Sequence, residues 1–395
     1  MLILSIIFIV IGALALIAGV ASLSVQAVPL LGAVSVTAGV SFVFFGVILL
    51  AAGVMTLLFE KNEKSRQIIK KLTNVKEFTL VIVLAVFIYL FWAINNNYLS
   101  LGNIRAIFNS AFVMGTLAIG LSCLLIGGKI DLSAGNTGMM AGIIIAILLK
   151  AGIPWVLALL ITLVFGAVTG LINSFFINRM RFAPFISTLA ISTIFAGLSL
   201  VITNGANIPV NNKGFLTLGS INLWIFPLPF IILAVLLIIY GVILSATGFG
   251  RRIYMTGGNA NAARLAGINP KRIVTILFVN NGVIACLAGS ILASRMAMGS
   301  PSGVTGSDLD GITAAVLGGV AFTGGAGNMV GVFFGILLIT SFQNGLVVAN
   351  LDSYYQVVAK GILLIAALIL DYYREKSRLK SQNASRLSEL AAEKK

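Results

Sequence analysis

The chain contains no histidine. That absence removes imidazole acid–base chemistry, histidine metal ligation and any Ser-His-Asp triad. Cysteine is nearly missing as well. Cys123 and Cys286 each stand alone inside an apolar run, which gives neither a disulfide framework nor a zinc site, and they read as small packing residues. Charge is scarce: Asp, Glu, Lys and Arg make up 9% of the 395 residues, where an average soluble domain carries about 25%. No GxxxxGKS or GxxxxGKT sequence occurs, so the chain has no phosphate loop with which to hold ATP.

What is present is apolar. Hydrophobic residues make up 59% of the chain, and crossing a bilayer core takes roughly 20 of them in a row. The sequence predicts an all-α polytopic membrane protein, with approximate helices at 2–21, 28–58, 78–96, 106–127, 133–152 and 154–177. Further ones are expected at 183–202, 224–247, 273–293, 311–322, 326–349 and 354–370. The runs are continuous rather than short and alternating, which argues against a membrane β-barrel. The block at 311–322 is too short to span and is followed by "GGAGN". It reads as a half-helix or re-entrant segment, tolerated at membrane depth only where protein or water satisfies its backbone. The start of the chain imitates a secretory signal, but no basic residue precedes the first apolar run and the second run is just as hydrophobic. Two membrane helices are the expectation there.

Basic residues gather on one side of this threading. The segment 60–77, the turn "NRMR", the loop "GFGRRIYMTGGNANAARLAGINPKRI" and the tail beyond Asp371 hold 20 of the 26 Lys and Arg. By the positive-inside rule that side is the cytoplasm, with both termini inside. Arg105, Lys213 and Arg295 fall opposite, with Lys150 near that boundary. The basic residues lie in short loops beside helix ends, without a contiguous basic face or interleaved aromatics, so no nucleic-acid partner is expected. The tail reads as a solvated, partly helical extension near anionic lipid headgroups.

Four stretches interrupt the apolar pattern. In "GGKIDLSAGN", Gly127 and Gly128 weaken one helix, and Asp131 is placed to cap the next, with Ser133 and Asn136 close behind. Either Lys129 and Asp131 simply pair at a capped break, or a broken helix lines a route for a polar solute. "AAVLGGVAFTGGAGNMVGVFFG" repeats the theme with Thr323 and Asn328, its glycines permitting close helix approach. Amides at Asn280, Asn281, Gln343, Asn344 and Gln356, with Lys360, sit inside otherwise apolar spans. They serve either as bonds between helices or as a lining for a hydroxyl-rich solute, since amides both donate and accept. The basic loop contains a short alanine-rich run, Ala260 to Leu265, between Gly257–Gly258 and "GINP". It is either a plain connector or a short helix for a groove on a partner.

Together "GGKIDLSAG", "TGGNANAARLAGIN", "AAVLGGVAFTGGAGNMVGVFFG" and "SYYQVVAKGILLIAALILD" resemble the permease subunits of ATP-binding-cassette importers, in the ribose-type branch, over about residues 78–372. The resemblance implies a core of about ten helices, a second permease subunit in a homo- or heterodimer, two cytoplasmic ATPase subunits and an extracytoplasmic solute-binding protein, all in a bacterial cytoplasmic membrane. It implies no cofactor on this chain, ATP and Mg belonging to the ATPase. It assigns ATPase coupling to Gly257, Gly258, Asn259, Ala262, Ala263, Arg264, Leu265 and Gly267, while the polar interruptions read above make Asp131, Ser133, Asn136, Asn280, Asn281, Thr323, Asn328, Gln343 and Asn344 the candidate substrate route. The chain then divides into an N-terminal helix pair (1–59), a basic linker (60–77), the permease core (78–372) and a charged tail (373–395). Two features depart from the family pattern: Lys129 is an insertion in "GGKIDLS", and the first 60 or so residues lie outside the usual core. The expected activity is inward passage of a small neutral polar solute, a monosaccharide such as ribose, galactose or xylose, with no covalent chemistry. The alternatives are a nucleoside or other small solute, or an ion-coupled secondary transporter, which would expect carboxylates in several spans.

Overall fold

A computed structural model describes residues 76–304 and 306–393; the expected N-terminal helix pair and nearly all of the basic linker lie outside them. The described residues hold thirteen α-helices and four two-residue strands. In chain order these are α1 (Lys76–Ile94), α2 (Leu101–Ile126), α3 (Ala134–Lys150), α4 (Trp155–Asn178), α5 (Pro184–Thr203), β1 (Ile208–Pro209) and α6 (Lys213–Ser220). There follow β2 (Asn222–Leu223), β3 (Phe226–Pro227), α7 (Leu228–Ala246), α8 (Gly248–Gly258), α9 (Ala260–Leu265) and α10 (Pro270–Met296). The order closes with β4 (Met298–Gly299), α11 (Ser307–Leu317), α12 (Met329–Val348) and α13 (Ser353–Glu393). Among the described residues seven helices are long and apolar enough to cross a membrane: α2, α4, α5, α7, α10, α12 and the Ser353–Tyr373 part of α13. The chain is an all-α polytopic membrane protein.

Helix ends follow local chemistry. Pro184 and Pro270 occupy first turns, where a missing N–H costs nothing. Asn269 caps α10 by accepting from Arg272 N at 3.3 Å, and Asn212 caps α6 by accepting from Phe215 N at 3.0 Å. The half-helix differs from its expected bounds: α11 starts at Ser307 and stops at Leu317. Asp308 and Asp310 sit in its first turn, where the free N–H groups favour acids, and Gly319 turns out of it at φ 89°. The last membrane helix does not end at residue 370 but continues to Glu393.

The chain forms two compact units. The described part of the larger comprises 105–304, 306–340 and 358–393, and its centre is α10 packed on α3 and α4. In lipid, helices gain little from burying apolar surface against each other, so close backbone approach must supply the attraction. Small residues supply that approach. Gly166 on α4 meets the Gly282 carbonyl of α10, and a Cβ there would stand 2.7 Å from Cys286 Sγ. On α3, a Cβ at Gly138 would stand 2.9 Å from the Ala285 carbonyl, and one at Gly142 3.2 Å from that of Gly289. At one end of this bundle α6 seats Phe215, fully buried, on Ile145, Ala146, Ala158 and Ala293. Ser294 Oγ latches it, accepting from Gly219 N (2.9 Å) and donating to the Phe215 carbonyl (2.7 Å). Beside this, β1 pairs with β4.

The described part of the smaller unit comprises 76–104 and 341–357. Phe87, Phe91, Tyr98 and Phe342 form its aromatic core. Tyr98 Oη donates to the Ser341 carbonyl at 2.9 Å, and Asn95 Nδ2 to the Val348 carbonyl at 3.1 Å.

Candidate functional site

The break between α2 and α3 is built in two steps. First α2 is closed by Lys129 N bonding the Leu124 carbonyl (2.9 Å) and Gly128 N the Leu125 carbonyl (2.8 Å), with Gly128 at φ 73°. This is the double closure that requires a left-handed residue, here glycine. Then Asp131, only 2% exposed, folds back over the turn. Its Oδ1 accepts from Ser133 N (2.8 Å) and Ser133 Oγ (2.5 Å), and its Oδ2 from Asn281 Nδ2 on α10 (2.9 Å). Asn173 Nδ2 of α4 donates to Ser133 Oγ at 2.9 Å. Ser133 and not Asp131 occupies the N-cap position of α3, without a side-chain capping bond: the carboxylate holds the turn before the helix. Lys129 is half-buried and makes no ion pair with Asp131.

Asp131, Ser133 and Asn281 are therefore gathered into one buried network, with Asn173 as a fourth member that the sequence reading missed. Its signal was the same as theirs, a lone amide in the apolar run "GLINSFF". Asn281 Oδ1 lies against Gly120 of α2, so no side chain fits at that position. The remaining candidates lie elsewhere. Asn136, half-buried, donates through Nδ2 to Ser192 Oγ (2.8 Å) and the Ser192 carbonyl (2.9 Å), joining α3 to α5. Asn280, half-buried, accepts from Tyr240 Oη of α7. Thr323 is exposed, and so is Asn328, which caps α12 by accepting from Gly331 N at 2.6 Å. Gln343 and Asn344 fall in the smaller unit. There Asn344 accepts from Asn103 Nδ2 at 2.8 Å, while Gln343 Nε2 is buried without a hydrogen-bond partner. Lys360 of α13 forms an ion pair with Asp310 of α11 at 3.1 Å.

The second candidate region is α8 with α9. Thr247 caps α8 through Gly250 N at 3.1 Å. Asn259 caps α9 by accepting from Asn261 N and Ala262 N, both at 3.0 Å. α9 closes as α2 does: Ile268 N bonds the Ala263 carbonyl (3.0 Å) and Gly267 N the Arg264 carbonyl (3.1 Å), with Gly267 at φ 78°. Ala263 faces inward, whereas Gly258, Asn259, Ala262, Arg264 and Gly267 are exposed and Gly257 is half-buried. Leu265 is 90% exposed. A leucine held in water on a helix capped at both ends is suited to burial against another surface.

The family model described as "Branched-chain amino acid transport system / permease component" matches residues 103–368. The ribose import permease of Bacillus subtilis is 36% identical over 302 residues, 76% of this chain and 91% of the relative. The ribose import permease of Escherichia coli is 33% identical over 302 residues, 74% of this chain and 92% of its own. The L-arabinose transport system permease of Escherichia coli is 33% identical over 282 residues, 71% of this chain and 86% of its own. No solved structure matches. With glycine-packed spans, a broken helix and an exposed capped helix that fall inside the matched region, the chain belongs to this family of transport-system permease components, in the branch of the sugar ABC permeases.

Proposed function

We propose that the chain is the membrane-spanning subunit of an ATP-driven importer that lets a monosaccharide cross inward. The observation that carries this reading is α9, a helix capped at both ends whose terminal Leu265 is 90% exposed. It offers a knob for a groove on a cytoplasmic ATPase, which would hold the ATP and Mg. A second permease subunit and an extracytoplasmic binding protein complete the importer, in the bacterial cytoplasmic membrane with both termini inside. The ribose and arabinose permeases among the relatives support a pentose as cargo. The family description names branched-chain amino acids, but a zwitterion asks for unengaged charges. Asp131 is enclosed by its donors and Lys360 is paired with Asp310, which favours a neutral solute.

In this reading Asp131, Ser133 and Asn281 brace the helix break, while Asn136, Asn280, Thr323 and Asn328 of the larger unit supply polar groups along the route. ATP binding on the partner shifts the chain between outward- and inward-open forms, through differential affinity for the two. The test is uptake into vesicles containing the full complex, with radiolabelled ribose, arabinose, xylose, galactose and leucine offered in turn. ATP-dependent uptake of a sugar that survives collapse of ion gradients is the expected result. Uptake of leucine alone, or uptake without ATP, would overturn the reading.

A further inference from the structure

Three glycine pairs, far apart in the chain, meet at one point. Gly128 closes α2 at φ 73°, Gly257 lies in the last turn of α8, and Gly324 (φ 91°) and Gly325 (φ 70°) make the turn after α11. A Cβ on Gly128 would stand 3.4 Å from Gly257 Cα. One on Gly324 would stand 2.8 Å from the Gly257 carbonyl and 2.9 Å from Gly128 Cα, and one on Gly325 2.7 Å from Gly258 Cα. One on Gly257 would strike the Ile126 carbonyl and lie 2.9 Å from Gly325 N. Two hydrogen bonds pin the contact: Gly325 N to the Ile126 carbonyl at 2.8 Å, and Tyr254 Oη to the Gly327 carbonyl at 2.7 Å. Burial pushes the Tyr254 phenol up from its ordinary value.

Backbone rests on backbone here. No long side chain lies between to absorb a displacement by changing rotamer, and close-packed interiors pass strain on rather than yield. α9 differs, since Gly267 has nothing within 4 Å of its Cβ position. We infer that the last turn of α8, Tyr254 to Gly257, is the positioning element that carries a displacement of α9 at once to the helix break at 127–131 and to the 324–327 turn. The inference rests on the importer reading. It adds the joint through which a partner's motion reaches the two broken segments of the membrane core.

The test compares sugar moved per ATP hydrolysed in vesicles containing the complex, for the wild type, Tyr254→Phe, Gly257→Ala and the double variant. Each value is normalised to ATPase that co-purifies with the chain. Tyr254→Phe removes one oxygen and adds nothing. It should lower the ratio roughly fivefold, the factor carried by one net hydrogen bond, while ATP hydrolysis continues. Gly257→Ala should lower it further, and the double variant no further than Gly257→Ala, because both act on one joint. Normal ratios in both single variants, beside a working wild type, would overturn the joint and leave the importer standing. Effects that multiply in the double variant would also overturn it. A wild type without ATP-dependent uptake would sink both readings. Should Gly257→Ala fail to assemble, Tyr254→Phe decides alone.

Discussion

Replacing Asp131 with asparagine asks whether that carboxylate braces the helix break or touches the solute. The carboxylate accepts three hydrogen bonds, two from Ser133 and one from Asn281. Asparagine offers a single oxygen. If that oxygen keeps both Ser133 donors, the new NH2 faces the NH2 of Asn281. Asn281 can turn its amide over, since its Oδ1 has no hydrogen-bond partner, but its own NH2 then meets only Gly120. One buried N–H is left unpaired, at about 1–3 kcal/mol. Removing a buried charge that has no cationic partner returns part of this. The net loss should be about 1–2 kcal/mol, roughly five- to thirtyfold in the unfolding equilibrium. Asn281→Ala should cost more, because the charge stays and loses a donor. Cys123 and Cys286 are buried, and the chain has no other cysteine. A dye that fluoresces on reacting with thiols therefore reports unfolding directly during an SDS titration. The reasoning predicts an earlier transition with an unchanged KM for sugar uptake. A changed KM or selectivity with an unchanged transition would refute it and put the carboxylate in contact with the solute.

Leu265→Asp should weaken co-purification of the ATPase at least about tenfold, because it replaces the burial of a leucine by that of a charge, while the thiol-dye curve stays as in the wild type. Gly166→Leu should prevent accumulation of folded protein in membranes, since its side chain must displace the Gly282 backbone and Cys286 Sγ; Gly361→Leu, with nothing within 4 Å of its Cβ position, should accumulate normally. For the Lys360–Asp310 pair, Lys360→Met alone should destabilise more than Lys360→Met with Asp310→Asn, by about 1 kcal/mol in the same SDS titration, because the single variant strands a carboxylate; equal losses would mean that the stranded carboxylate costs nothing.

The long spans were legible because bilayer thickness imposes a length that apolar runs must meet, whatever they pack against. α4, expected at 154–177, is Trp155–Asn178, and α5, expected at 183–202, is Pro184–Thr203. α9 was legible to the residue, since Gly257–Gly258 before it and "GINP" after it are local boundary signals that act without tertiary help. α6 was not foreseen. Its eight residues have little reason to be helical alone, and the reason lies in the pocket of Ile145, Ala158 and Ala293 that receives Phe215. The half-helix was seen but displaced, because the apolar run at 311–322 drew the eye past Asp308 and Asp310, which mark its first turn.

Polar residues in the spans were visible one by one, but sequence gives no rule for sorting glue from lining. In lipid both uses select the same side chains, since an amide without water must bond to another helix or to a passing solute. The difference is made by geometry that distant residues fix. Asn281 is enclosed because Gly120 lets α2 close over it, whereas the adjacent Asn280 points to Tyr240 and stays half-buried. The same logic accounts for Lys129. Its backbone N–H supplies the second closing bond of α2, and its side chain stays half-exposed without touching Asp131. Lys129 is thus a member of the closure of α2, and the carboxylate brace begins two residues later, at Asp131.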